Sequence, residues 1–330
     1  MSQPQTLFDR ILGQSRPLWV IVSISLVMLL LPFLAAYLDD MLDVMLVSGQ
    51  WRVVVVPVII IIYIWVISQP FAKMGAAVLA ALRPLTRMDD ESYQRLVEKS
   101  SFIPLNYELL TLGGGLALGA WLGLKGGFPS SWTWLHFYWI AANSLMWGLL
   151  AWTVLISLAS TRVTVAIHRQ LVEIDLFDLA PFEPIGRQSL LLALVFIGGV
   201  TIGLILSFDV ASLSSPYFWL IYIPMAIVPV LVFFLNMRPT HRVLSTEKNR
   251  QLQAIQALLQ SRGSALIDFL EQDKETGSLS SEVEALIAFE QRVKEARTWP
   301  YNTPMLRSLF FSVLIPLVTV LARLGIELMF

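Results

Sequence analysis

The stretch LRSLFFSVLIPLVTVLARLGIELMF, residues 306–330, decides the fold. From Leu306 to Met329 it holds few charges, and at 1.5 Å rise per residue it spans about 30 Å of hydrocarbon. A polar, helix-patterned segment from Arg238 to Arg297 precedes it and leads through Trp299-Pro300 into it. The chain is therefore expected to end at or just inside a membrane surface, after a helix that returns from a polar excursion.

Working outward, further apolar runs lie at 18–37, 53–68, 109–124, 132–160, 190–206 and 217–235. The run at 53–68 is rich in Val and Ile, but a lipid-exposed span must satisfy its own backbone, which selects helix over strand. The expected fold is an all-α polytopic membrane protein of seven transmembrane helices. Residues 1–236 would hold the first six, with loops at 70–107 and 161–188. Residues 237–305 would form a cytoplasmic helical segment, and 306–330 the seventh span. Composition agrees: 56% of the 330 residues are hydrophobic and only 14% charged, with a mean hydropathy of +0.68. A soluble domain carries about 25% charged residues. There is no Cys, which excludes disulfides and thiolate metal sites.

Local signals fill in the rest. Met1 to Pro17 lacks the pattern of a cleaved signal peptide, so the first span reads as an uncleaved signal anchor. Two short helices are expected at Phe71–Arg87 and Asp90–Lys99, with Asp89 or Asp90 as N-cap. Gly115, Gly119 and Gly123 recur every fourth residue, so one helix face admits a close neighbour, from the same chain or from a second copy. Trp132, Trp134, Tyr138 and Trp139 form an interfacial belt. The helical pattern continues past Arg162 through Val163, Ile167 and Leu171. Pro181 and Pro184 mark an elbow, and Pro224 and Pro229 are expected to bend the sixth span. An amphipathic pattern through Val243, Leu244, Leu252, Ile255 and Leu259 is expected to stop at Gly263. Ser281 to Glu284 reads as a capping box ahead of an apolar face at Val283, Leu286, Ile287 and Val293.

Charge sets the expected orientation. With the N-terminus cytoplasmic, only Arg52, Lys125 and Arg323 of the 23 Lys and Arg fall outside. The expected compartment is a plasma or inner membrane, and the expected surroundings are a lipid bilayer.

Chemistry is sparse. The P-loop, His-Glu-x-x-His and Gly-x-Ser-x-Gly motifs are absent, and His136, His168 and His241 have no second ligand at metal spacing. No enzyme, cofactor, metal site or nucleic-acid partner is expected. His241 beside Arg242 reads as a solvated edge position or an anionic-headgroup contact. Asn143 is the most polar residue at mid-depth of the first six spans. In the last span, Arg323 and Glu327 are four apart. They read as an i,i+4 pair reaching the outer headgroups, or as part of a pore vestibule with Pro316 and Thr319 beside them.

This topology resembles that of the insect odorant and gustatory receptor superfamily of seven-transmembrane ion channels: seven spans, an inside N-terminus, a helical cytoplasmic excursion after the sixth, and a chain ending with the seventh. The resemblance implies a tetramer in which Pro239–Arg297 anchors the copies and Leu306–Met329 lines a central pore. Leu252, Ile255, Leu259, Leu286, Ile287 and Val293 are then the candidate anchor contacts. The family's Thr-Tyr and Gln-Phe signature is absent from Thr319-Val-Leu-Ala-Arg-Leu-Gly-Ile-Glu-Leu-Met-Phe330. The run from Glu295 to Asn302 is similar to that of uncharacterised bacterial membrane proteins. The expectation that follows is a homo-oligomeric ion channel or ligand-gated receptor-channel, its ion or small-molecule ligand unspecified. A membrane scaffold or sensor whose cytoplasmic helices dock a partner is the alternative.

Overall fold

The computed structural model describes residues 18–125, 133–171, 174–207, 216–271 and 277–329. They form ten α-helices: α1 Leu18–Leu38, α2 Leu42–Val47, α3 Trp51–Leu82, α4 Asp90–Ser101, α5 Leu105–Lys125, α6 Trp134–His168, α7 Glu183–Ser207, α8 Pro216–Glu271, α9 Gly277–Glu295 and α10 Thr303–Met329. Two single turns of 3₁₀ helix, Arg83–Leu85 and Ala180–Phe182, join them, and the described residues contain no strand.

By length and composition, six helical stretches among the described residues can cross a membrane: Trp19–Leu38, Trp51–Leu85, Asp90–Lys125, Trp134–His168, Ala180–Ser207 and Thr303–Ala322. The expected sixth span, 217–235, is the first part of α8, where the side chains of 216–222 and 224–226 lie outside the described residues. Large apolar side chains cover much of the surface, among them Trp19, Leu26, Val27, Leu110, Phe310, Phe311 and Val318. Water does not favour such a surface, and a bilayer removes the penalty.

The breaks expected at Pro70 and Pro239 are absent, for one physical reason. A proline inside a helix removes one N–H and crowds one carbonyl, a local cost that packing on both sides offsets. Helix α3 therefore runs through Pro57 and Pro70 to Leu82, where two separate helices were expected. Val54, Ile61 and Ile64 are buried ahead of Pro70, and Val78 and Leu82 beyond it. Helix α8 likewise continues through Pro239 and Gly263 for 56 residues, about 84 Å at the standard rise. Phe233 and Met237 before Pro239, and Thr240 and Leu244 after it, are fully buried. Pro184 starts α7 rather than stopping a helix, since its missing N–H falls in the first turn where no partner is needed. Ser281 is not a cap either: α9 begins at Gly277, and the Ser281 hydroxyl donates to the Gly277 carbonyl at 3.0 Å. Asp89 does cap α4, accepting the Ser92 N–H at 3.1 Å.

The helices are organised between two ends. At one, Ala35, Ala36, Met45, Val54 and Leu135 form a cluster, and the Asp39 carboxylate accepts the backbone N–H groups of Trp134 and Leu135 at 3.0 and 2.8 Å. An anion belongs there, because the first N–H groups of α6 have no helical acceptor. At the other end, Val78 and Leu82 of α3, Tyr93 of α4, Val163 and Ile167 of α6, Ile185 of α7, Leu244 and Ile255 of α8 and Val293 of α9 share one larger cluster. The described residues of 83–104 and 169–182 and the helices of the α8–α9 excursion therefore gather on one side of the bundle.

Helix α5 packs closely along α6, because glycines remove the side chains between them. A Cβ on Gly119 would lie 2.4 Å from the Asn143 carbonyl oxygen, and one on Gly115 would lie 2.7 Å from that of Trp147. Both obstacles are backbone, which cannot move aside without separating the helices. Gly119→Ala is expected to lower stability by roughly 1–3 kcal/mol, the usual cost of overpacking. Gly114→Ala, whose Cβ meets nothing within 4 Å, should leave it unchanged or slightly raised. Thermal melting of the two purified variants checks the contrast.

Candidate functional site

The polar excursion is a helical hairpin. Helix α9 runs antiparallel to the distal half of α8, held by Arg262 with Glu282 at 3.6 Å, Gln256 with Glu290 at 3.3 Å, and Lys248 near the base. The Lys248 ammonium donates to the carbonyls of Lys294 and Ala296, at 2.6 and 2.9 Å. Those carbonyls are orphaned where α9 ends, so a cation there supplies both hydrogen bonds and dipole complementarity. Hydrogen bonds from Lys294 and Gln256 hold the Glu290 carboxyl below its ordinary range. Because the folded value is depressed, this contribution is present at neutral pH and is lost as the pH falls through that lowered value.

Beyond α9 the chain returns over the base of the hairpin. The Trp299 indole stacks on the His241 imidazole, with centroids 4.0 Å apart and planes 9° from parallel, and lies edge-on to Phe234 at 6.0 Å. The Pro300 carbonyl then lies where a Cβ on Gly186 would be 2.3 Å away, so only glycine lets the strap touch α7. His241 is thus a packing partner of Trp299, with Nδ1 3.2 Å from the Thr298 carbonyl. Helix α10 follows, with Met305 buried near Gly186 and Leu309 packed beside Ala193, Ile197, Phe233 and Met237.

Of the expected anchor residues, Ile255 and Val293 are buried within the one chain, and Leu252 and Leu259 pack against the same cluster. Their burial needs no second copy. Leu286 is half-buried, whereas Ile287 stands 53% exposed. In α10, Pro316 sits inside the helix, and the Thr319 hydroxyl donates to the Ile315 carbonyl at 2.9 Å. The side chains of Arg323 and Glu327 lie outside the described residues. Thr319 lines an apolar groove of about 570 Å³ between α10 and Ile205 of α7. Gly115, Gly119 and Gly123 all face α6 of the same chain.

The structure also assembles a polar pocket that the individual residues do not announce. Ser157, Ser160, Thr161 and Thr164 of α6, Gln188 and Ser189 of α7 and Asn236 of α8 meet there, with Phe71, Ile185 and Leu192 completing the wall. The Thr161 hydroxyl lies 2.9 Å from Asn236 Oδ1, and Gln188 Nε2 donates to Ser160 Oγ at 3.1 Å. One turn further along α6, the buried His168 bridges helices. Since the Thr164 carbonyl only accepts, His168 Nδ1 carries the proton and donates to it at 2.6 Å, and the Thr240 hydroxyl donates to Nε2 at 3.1 Å. Both ring nitrogens are thereby committed, and His168 is not positioned as a metal ligand. No group of three or more His, Asp or Glu able to hold a metal occurs among the described residues. One signal in the sequence does point to the pocket: Ser157, Ser160, Thr161, Thr164 and His168 repeat at three- and four-residue spacing along one face of an apolar helix.

Comparisons with protein-family models, with curated proteins and with solved structures give no match for this chain.

The two apolar hairpin positions should behave differently when truncated. Ile255→Ala is expected to cost about 2–5 kcal/mol, as for other buried Ile deletions, while Ile287→Ala should stay within about 0.5 kcal/mol. Melting curves of the detergent-solubilised variants read both.

Proposed function

We propose that the chain is a seven-span protein of a plasma or inner membrane, N-terminus inside, that assembles as a homo-oligomeric ion channel with α10 lining the shared pore. In this arrangement residues 217–235 of α8 supply the remaining span, and the cation-rich end carrying the hairpin is cytoplasmic. The observation that carries the proposal is the state of α10 in the single chain. Among its described side chains the buried ones, Met305 and Leu309, lie on one flank, and Phe310, Phe311, Ile315, Leu317, Val318 and Leu321 are all at least 50% exposed. Along one stripe it also presents Ser308, Ser312 and Thr319, which fall within about 40° of each other on a 3.6-residue wheel. Ser308 is exposed, and the Ser312 and Thr319 hydroxyls donate to the Ser308 and Ile315 carbonyls at 2.7 and 2.9 Å, so these two are satisfied in lipid and still offer oxygens to a permeant ion. A shared pore gives both features a use: apolar flanks against neighbouring copies and lipid, hydroxyls toward the axis.

A scaffold or sensor is the second reading, favoured by apolar side chains on the hairpin outside the bundle. Leu258, Ile267, Leu270 and Ile287 are 50–61% exposed there. A surface of this kind in water suits a partner helix or a second copy.

The mass of the full chain in nanodiscs and in detergent, by native mass spectrometry, separates the readings. A closed oligomer, with bilayer conductance that falls in Ser312→Leu, is the expected result. A strict monomer in both environments eliminates the shared pore. Ile267→Asp and Ile287→Asp then test docking: loss of partner capture at unchanged mass supports the scaffold.

A further inference from the structure

One face of α8 changes character along its length. Ile227, Leu231 and Leu235 are 50–55% exposed, and Arg238 and Arg242 follow them, exposed as well. All five fall within about 80° of each other on a 3.6-residue wheel, on the side away from the buried Phe233, Met237, Thr240 and Leu244. From Ile227 to Arg238 the stripe is about 16 Å long at the standard rise, close to half of the roughly 30 Å of hydrocarbon in a bilayer. It has the length of one leaflet, apolar along its run and cationic at its end.

The two arginines lack counter-charges. Arg83, Arg95, Arg187, Arg250 and Arg262 each have a carboxylate partner. Among the described residues, neither Arg238 nor Arg242 has one. From Pro216 to Thr246 the chain holds no acidic residue, and Glu247 is taken by Arg250 at 2.9 Å and Gln251 at 3.0 Å. Like charges four apart on one helix repel. An anion between them removes that cost, and guanidinium forks meet phosphate oxygens two at a time. One turn before Arg238, Phe234 stands edge-on to Trp299 and Tyr301 at 6.0 and 6.4 Å, so aromatic rings gather beside the cations as they do where headgroups meet hydrocarbon.

We infer that this face holds one anionic phospholipid, its phosphate between Arg238 and Arg242 and an acyl chain along Leu235, Leu231 and Ile227. A free phosphate would use the arginines and leave the apolar stripe without a role, whereas a lipid uses both. The inference rests on the reading that residues 217–235 cross the membrane. It does not depend on a shared pore, and it is the same for a channel and for a scaffold.

The test uses the full chain in detergent, with dioleoyl phosphatidylglycerol as probe and dioleoyl phosphatidylcholine as its zwitterionic match. Native mass spectrometry counts the lipid retained per chain. The expected result is retention of phosphatidylglycerol in preference to phosphatidylcholine. Arg238→Gln and Arg242→Gln should each weaken that retention about fivefold, and the double variant should abolish the preference. Arg250→Gln, which removes an arginine already paired with Glu247, should leave it unchanged. Glycerol phosphate, the headgroup without its chains, should not compete. Equal retention of the two lipids overturns the inference, as does an unchanged preference in the double variant. Competition by glycerol phosphate would mark a site for free anions and overturns it too. If the double variant does not fold, the two single variants decide.

The placement of α8 is read separately. The chain has no cysteine, so Leu231→Cys carries one spin label, whose relaxation by oxygen against a water-soluble nickel chelate reports its depth. A label in hydrocarbon with no lipid preference overturns the inference alone. A label in water overturns the reading of 217–235 as a span, and the inference with it.

Discussion

The Lys248 ammonium, holding the carbonyls of Lys294 and Ala296, is the contact on which the distal third of the structure depends. A helix that ends away from the bundle leaves several carbonyls without partners, and the chain beyond it is free to leave in many directions. By capping α9 from α8, Lys248 fixes where the hairpin closes and therefore where Trp299 meets His241 and Pro300 meets Gly186. Only then is Thr303 placed to start α10 alongside α7. A residue 46 positions upstream of the Lys294 carbonyl it holds thus bears on the approach of the last helix. Arginine carries the same charge, but its planar fork does not reproduce a point donor shared between two adjacent carbonyls.

The helical class of the protein is plain in the sequence because a bilayer imposes one rule on every exposed segment. Long apolar runs such as those at 18–37 and 190–206 have no alternative conformation in lipid. Helix ends are a different matter. Pro70 and Pro239 look like terminators locally, yet the burial of Ile64 and Leu82 around one, and of Met237 and Leu244 around the other, outweighs a lost hydrogen bond. Which of these wins is a tertiary fact. The Asp89 cap was readable because its chemistry is complete within four residues, whereas the Ser281 capping pattern was not used because α9 begins a turn earlier.

The candidate site was less legible, since its parts are individually ordinary. A hydroxyl in an apolar helix usually bonds its own backbone, as Thr153 and Thr201 do here at 2.8 Å. Nothing local separates those from Ser160 or Thr161. Their difference comes from the opposite helices, which bring Gln188 and Asn236 to the same level. The amphipathic faces of α8 and α9 were visible as periodic Leu, Ile and Val. Periodicity reports that a face is covered, not by what, and here Ile255 and Val293 share one buried cluster with residues of the chain's own α3, α4, α6 and α7.

The continuity of α8 gives the molecule a mechanical property. A rod of 56 residues with one end among the apolar helices and the other in the hairpin is a lever whose fulcrum is the buried collar of Phe233, Met237, Thr240 and Leu244. Asn236 lies within that collar, on the wall of the polar pocket. Because the helix has no break at which to absorb a turn, torque applied to the hairpin from outside is delivered to the collar. The interhelical hydrogen bonds it would load there are those of Thr240 with His168 and of Asn236 with Thr161.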